Sequence, residues 1–91
     1  MKYEVHYHTL IDRKSLQRLP LEDLRIIKKR IEQKLTTEPS LFGKPLRKSL
    51  RGYWSLRVGD YRVIYRIEKD TVLIFVIAHR SVVYEQAENI G

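Results

Sequence analysis

The stretch Leu56-Arg57-Val58-Gly59-Asp60-Tyr61-Arg62-Val63-Ile64-Tyr65 decides how this chain folds. Residues alternate in character on both sides of Gly59-Asp60, which is the period of strands with two unlike faces. Gly-Asp between two such runs reads as a two-residue hairpin turn. That turn sets Val58 opposite Tyr61, Arg57 opposite Arg62, Leu56 opposite Val63 and Trp54 opposite Tyr65. One face then carries Trp54, Leu56, Val58, Tyr61, Val63 and Tyr65, a set suited to a core. The other carries Tyr53, Ser55, Arg57, Arg62, Ile64 and Arg66.

Working outward, the hairpin belongs to a meander of three runs, Tyr53 to Val58, Tyr61 to Ile67 and Thr71 to Ala78, the last two joined by a polar turn at Glu68-Lys69-Asp70. In the third run Leu73, Phe75 and Ile77 are as apolar as Val72, Ile74 and Val76, so it reads as a strand covered on both sides. Upstream, Lys2 to His8 alternates Tyr3, Val5 and Tyr7 with Glu4, His6 and His8, a half-buried strand. Thr9 offers a hydroxyl cap to a short helix bearing Leu10, Leu16 and Leu19.

A second helix, Pro20 to Thr36, has proline in its first turn, Glu22 and Asp23 at its positive end, and Leu24, Ile27, Ile31 and Leu35 along one side. Thr36 to Leu50, with Pro39, Gly43 and Pro45, reads as a loop with room for one helical turn. Ser81 is placed to cap a last helix over Val82 to Asn89. The order β-α-α-β-β-β-α predicts one α+β domain over residues 1–91, with the helices on one face of an antiparallel sheet and the other face open for function.

Ninety-one residues are too few for two cores, which excludes a large multi-domain enzyme. Eighteen Lys and Arg against eleven Asp and Glu leave +7, while 43% hydrophobic residues argue against a disordered basic tail. Such a charge attracts nucleic acid, an anionic membrane or an acidic protein. No cysteine is present, which removes disulfides, thiolate metal sites and cysteine nucleophiles. The apolar run Val72 to Ala78 is far shorter than the roughly 20 residues that span a bilayer. With a polar N-terminal stretch in place of a signal peptide, the cytoplasm is the expected location.

The charge is unevenly spread. Residues 44–66 hold seven basic residues against Asp60, a net +6, whereas residues 67–91 are net acidic. Like charges directly opposite on a ladder repel, so Arg57 beside Arg62 requires either solvent or a bound anion. Phosphate suits guanidinium groups because its oxygens accept two parallel hydrogen bonds; a solvated strand face is the plain alternative. The third run ends in His79-Arg80, with Tyr84 four residues further on. Taken singly, His79 reads as a polar strand end and Tyr84 as a packing residue. Walker, dinucleotide-glycine and H-E-x-x-H patterns are absent. His6 and His8 lack an evident third ligand, which favours a polar edge over a metal site. Asp60, Glu68 and Asp70 fall in turns, poor placement for two-metal or paired-carboxylate hydrolysis, so a nuclease built on this chain is expected to need no metal or other cofactor.

The order of elements, the hairpin from Leu56 to Tyr65, the apolar strand closing in His79-Arg80, and Tyr84 together resemble the RelE/ParE superfamily of bacterial and archaeal toxins. The resemblance covers essentially the whole chain. It implies one of two activities: RelE-like members cleave messenger RNA in the ribosomal A site, and ParE-like members inhibit DNA gyrase. Both are neutralised by a cognate antitoxin, here expected to be acidic, and a catalytically degenerate antitoxin-binding member is a third possibility. In the RelE branch the resemblance implies a site of Arg62, Arg80 and Tyr84. That branch also carries lysines on the first meander strand, where this chain has Tyr53 and Ser55.

The expectation that follows is metal-independent attack by the RNA 2′-hydroxyl, with Arg62 and Arg80 on the phosphate, His79 as candidate acid or base, and Tyr84 stacking or passing a proton. Lys44, Arg47, Lys48, Arg51 and Arg57 are the expected contacts to messenger and ribosomal RNA. RNA is thus preferred to a membrane as the target of the charge.

Overall fold

Five strands, β1 (Glu4–Tyr7), β2 (Lys44–Pro45), β3 (Trp54–Val58), β4 (Tyr61–Glu68) and β5 (Thr71–His79), form one mixed sheet in the order β1-β5-β4-β3-β2. The computed structural model describes residues 2–8, 11 and 13–89. The helices are α1 (Arg13–Arg18), α2 (Leu21–Arg30), which continues as a π-helical turn over Ile31–Leu35, α3 (Pro39–Phe42) and α4 (Val83–Glu88).

The central hairpin has the register expected from its turn: Val58↔Tyr61, Arg57↔Arg62, Leu56↔Val63 and Trp54↔Tyr65. Gly59 at φ 58° supplies the left-handed turn position. Two features of the sheet depart from a purely antiparallel meander. β1 joins it parallel to β5, with Val5 beside Val72. Lys44-Pro45, expected in a loop, adds a two-residue edge strand antiparallel to β3.

The face of Trp54, Leu56 and Val63 packs on the helical side, in a core of Ile27, Ile31, Leu35, Leu56, Val63, Tyr65, Val72, Ile74 and Ile77. α2 is favoured by Glu22 and Asp23 in its first turn and Lys28, Lys29 and Arg30 in its last. Pro20 occupies the N-cap and not the first turn. Ile27, Ile31 and Leu35 recur every fourth residue, which overshoots an α-helical turn of about 3.6 residues. The wider π-helical turn keeps Ile31 and Leu35 aimed at the sheet, and both are buried.

The opposite face is not open throughout. A second core of Leu50, Ile64, Phe75, Val76, Ala78, Val83 and Ala87 lies there, roofed by α4. The helices therefore flank both faces, correcting the expected one-sided arrangement. The cause is β5: a register shift at Ile64/Tyr65 pairs Ile64 with Val76 but Tyr65 with Ile74. Phe75 is the extra residue, and Phe75 and Val76 both join the second core. Val82, not Ser81, is the N-cap of α4, and it makes no side-chain capping bond. The proposed cap Thr9, with Leu10, lies outside the described residues.

Tyr65, on the central strand, is fully buried, and its hydroxyl donates to the Pro39 carbonyl at 2.5 Å. Burial pushes its pKa well above the ordinary tyrosine value. A Cβ at Gly43 would fall 1.7 Å from the phenol oxygen and 2.7 Å from Cζ, so the ring requires glycine for space. Gly43→Ala is expected to cost about 2–4 kcal/mol in urea unfolding, and Tyr65→Phe about 1 kcal/mol through the lost hydrogen bond, since the Pro39 carbonyl keeps the Gly43 N–H. The double variant should lose less than the sum, because Phe removes the atom that clashes most.

Candidate functional site

The arginines meet at the hairpin end of the second face. Arg57 lies directly opposite Arg62, and Arg62 directly opposite Ala78. Neighbouring backbones there are about 5 Å apart. Arg57 is exposed and Arg62 half-buried. Arg62 Nη1 donates to the carbonyls of Gly59 at 3.0 Å and Tyr61 at 2.9 Å, so the turn holds its guanidinium in place before any ligand arrives. Arg80 is fixed at the same end by its backbone N–H, which donates to the Asp60 carbonyl at 2.8 Å, and by Nε, 3.7 Å from Asp60 Oδ1. Asp60 is thus a positioning group that sequence spacing did not reveal. Tyr84 stands exposed on the first turn of α4, on the same side of the sheet as Arg62.

The basic loop borders this face. Lys44 is in register with Ser55, so it projects to the arginine side of the sheet edge. Arg47, Lys48 and Arg51 are exposed around the 3₁₀ turn Lys48–Leu50. Leu50 anchors that turn in the second core, and Ser49 Oγ donates to the Glu88 carboxylate on α4 at 2.7 Å. Loop, α4 and arginines therefore form one surface.

Four residues singled out in the sequence sit differently from the expected arrangement. Arg66 is not part of the arginine patch: it pairs with Glu68 at 3.5 Å and lies over the Tyr53 ring at 5.5 Å. Ser55 is buried to 7% exposure, and its hydroxyl has no hydrogen-bond partner. Tyr53 packs edge-on against Phe75. Lys44, in register with Ser55, is on the same side of the sheet edge.

His79 is the fourth. It pairs with Tyr61 in the β4–β5 ladder and meets that ring edge-on at 5.9 Å, which puts it on the helical side, away from Arg57 and Arg62. Its Nδ1 accepts the Ser81 N–H at 3.1 Å and lies 2.8 Å from Ser81 Oγ, so the ring hydrogen belongs on Nε2. The other two histidines do not gather either. His6 is 3.6 Å from Glu4, and His8 stacks on Phe75. Among the described residues no group of three or more His, Cys, Asp or Glu is arranged to hold a metal ion. No helix among them is long and apolar enough to cross a membrane.

Residues 10–84 match the family described as the ParE toxin of the type II toxin-antitoxin system parDE. The chain is 38% identical over 88 residues to toxin RelG of Mycobacterium tuberculosis, covering 94% of this chain and all of the relative. It is 40% identical over 83 residues to toxin RelE of the same organism, covering 86% of each. A chain in the crystal structure of the toxin-antitoxin complex RelBE2 from M. tuberculosis superposes with a TM-score of 0.75 at 37% identity, covering 88% of this chain and all of that one. The protein belongs to the RelE/ParE superfamily of type II toxins. Within it, the chain is RelE-like, and its fold is that of the RelE toxins.

The facing arginines make a stability prediction independent of function. Arg57→Gln should raise stability in dilute buffer by about 0.5 kcal/mol. The gain should shrink toward 1 M salt, where screening already removes the repulsion; urea unfolding at two salt concentrations reads both.

Proposed function

We propose that this toxin is a ribosome-dependent endoribonuclease that cuts messenger RNA in the A site and so arrests translation in the cytoplasm. The observation that carries the reading is the pairing of Arg57 with a turn-anchored Arg62 at the hairpin end where Asp60 holds Arg80. Such a constellation is costly to hold without an anion and is built for a phosphate.

In this reading the RNA 2′-hydroxyl attacks the adjacent phosphorus. The new 2′-O–P bond forms as the P–O5′ bond breaks, giving a 2′,3′-cyclic phosphate and a 5′-hydroxyl; the proton leaving O2′ is balanced by one gained at O5′. The nucleophile belongs to the substrate, so the chemistry needs no metal. Arg62 and Arg80 offset the charge that grows on the phosphorane oxygens. Tyr84 stacks on a base or passes a proton. His79, the acid or base expected from sequence, faces the helical side, so proton transfer on the arginine face is assigned to Tyr84. Lys44, Arg47, Lys48, Arg51 and Arg57 hold messenger and ribosomal RNA through phosphate contacts without sequence preference. A cognate antitoxin is supported by the relative solved in complex with one. An acidic segment that folds on the basic face would cover Arg57, Arg62 and Arg80.

Arg62→Ala and Arg80→Ala should each lower single-turnover cleavage on programmed ribosomes by about 10²–10³-fold without unfolding the protein. Arg62→Lys should not restore it, because a compact ammonium lacks the planar fork that bonds both turn carbonyls through Nη1 and leaves its other nitrogens for a phosphate. The match to the ParE family favours a second reading, inhibition of DNA gyrase. Growth arrest that persists in both alanine variants, with blocked supercoiling and intact messages, would establish gyrase as the target. Harmless expression without antitoxin would identify a catalytically degenerate binding module.

A further inference from the structure

On the helical side, behind the arginine face, an open cleft of about 450 Å³ lies between α2 and the β3–β4 turn, lined by Asp23, Ile26, Ile27, Asp60, Tyr61 and His79 among others. The proposed nuclease uses none of its interior. Its floor is apolar: Ile27 is buried, the half-buried Tyr61 packs against the same core, and Ile26 is exposed. Its charge is the reverse of the protein's. Two carboxylates line it, on a chain of net charge +7.

Tyr61 hydroxyl donates to Asp23 Oδ2 at 2.7 Å, and this bond, followed by burial, raises the Tyr61 pKa. The phenol therefore stays protonated, and it fixes the Asp23 carboxylate at the cleft wall. His79 lines the cleft with its Nδ1 occupied by Ser81. An RNA phosphate would meet the Asp23 carboxylate and, beside it, an Asp60 already paired with Arg80, so the interior disfavours nucleic acid on charge. A long basic side chain fits every surface: an aliphatic stem on Ile26 and Ile27, a cationic head on the Tyr61 ring and the carboxylates.

Asp60 belongs to both sides of the molecule, since it lines this cleft and holds Arg80 at the edge of the arginine face. A peptide with one basic side chain in the cleft would emerge beside Arg80, where acidic residues are wanted. We propose that the cleft is an anchoring pocket for a single arginine or lysine of the cognate antitoxin, adjacent to the acidic segment that covers Arg62 and Arg80. The inference rests on the antitoxin reading above and adds to it a basic residue that charge balance alone would not suggest. It is also a device of specificity: ribosomal RNA can match the arginine face, but only a chain of mixed charge matches the face and the cleft together.

The test is calorimetric titration of full-length toxin with full-length antitoxin encoded beside it. Asp23→Asn keeps an acceptor for Tyr61 and removes the charge; it should weaken binding about tenfold, and Asp23→Lys about a hundredfold or more. Both variants should cut message on ribosomes at the wild-type rate, which also shows that they fold. Among alanine substitutions of the antitoxin's Arg and Lys residues, one should cost about tenfold against wild-type toxin and nothing further against Asp23→Asn. Equal binding by wild type and both Asp23 variants, or no basic antitoxin residue coupled to Asp23, overturns the pocket and leaves the antitoxin reading standing. Failure of wild-type toxin to bind the antitoxin overturns both.

Discussion

The phenol of Tyr65 is the contact on which the arrangement of the basic surface depends. It stands on the central strand, is fully buried, and reaches across the core to the Pro39 carbonyl through a space that only Gly43 leaves free. The buried phenol would lose its partner if the segment leaving α3 moved, so that segment has one favourable position over the sheet. Chain order converts that position into function. Gly43 precedes β2, whose pairing turns Lys44 to the arginine side; the loop then runs through Arg47 and Lys48 to Leu50, which drops into the second core. A tyrosine facing the helices thus determines where the cations of the other face begin.

The hairpin was legible because Gly59-Asp60 fixes its register and most residues from Trp54 to Tyr65 suit one face; Ile64, apolar on the arginine side, departs from the alternation and is buried in the second core. The same reasoning fails in β5. Both residue sets there are apolar, so nothing in the pattern marks Phe75 as the extra residue, and the second core under α4 stayed hidden with it. β2 was illegible for a different reason. Two residues cannot show a period, and proline argues against a strand unless it lies at an edge, which is where Pro45 sits. The parallel placement of β1 depends on which strand it meets across the helices between, which local pattern does not encode.

The site divides along the same line. Arg57 and Arg62 follow from the turn alone, and their pairing is as the sequence reading had it. Arg66 shares their face by parity, yet it is drawn away by Glu68 and Tyr53. The facing of His79 depends on the β4–β5 register, which a strand-end position cannot reveal. Asp23 and Tyr61 are far apart in sequence and belong to a helix and a strand. Their hydrogen bond exists only once α2 has been laid on the sheet.

The parallel pairing of β1 with β5 has a consequence for the order in which the molecule comes into being. Glu4 finds its neighbour only at Thr71, and Tyr7 at Ile74, so the first strand made waits for the last. Closing so long a loop carries an entropic cost that is repaid only when the final strand arrives, and folds dominated by such pairings form slowly. Arg80 follows directly on β5. A chain interrupted before that point therefore has an unfinished sheet and an unfinished arginine cluster together, so the fold and its basic surface are completed by the same stretch of chain.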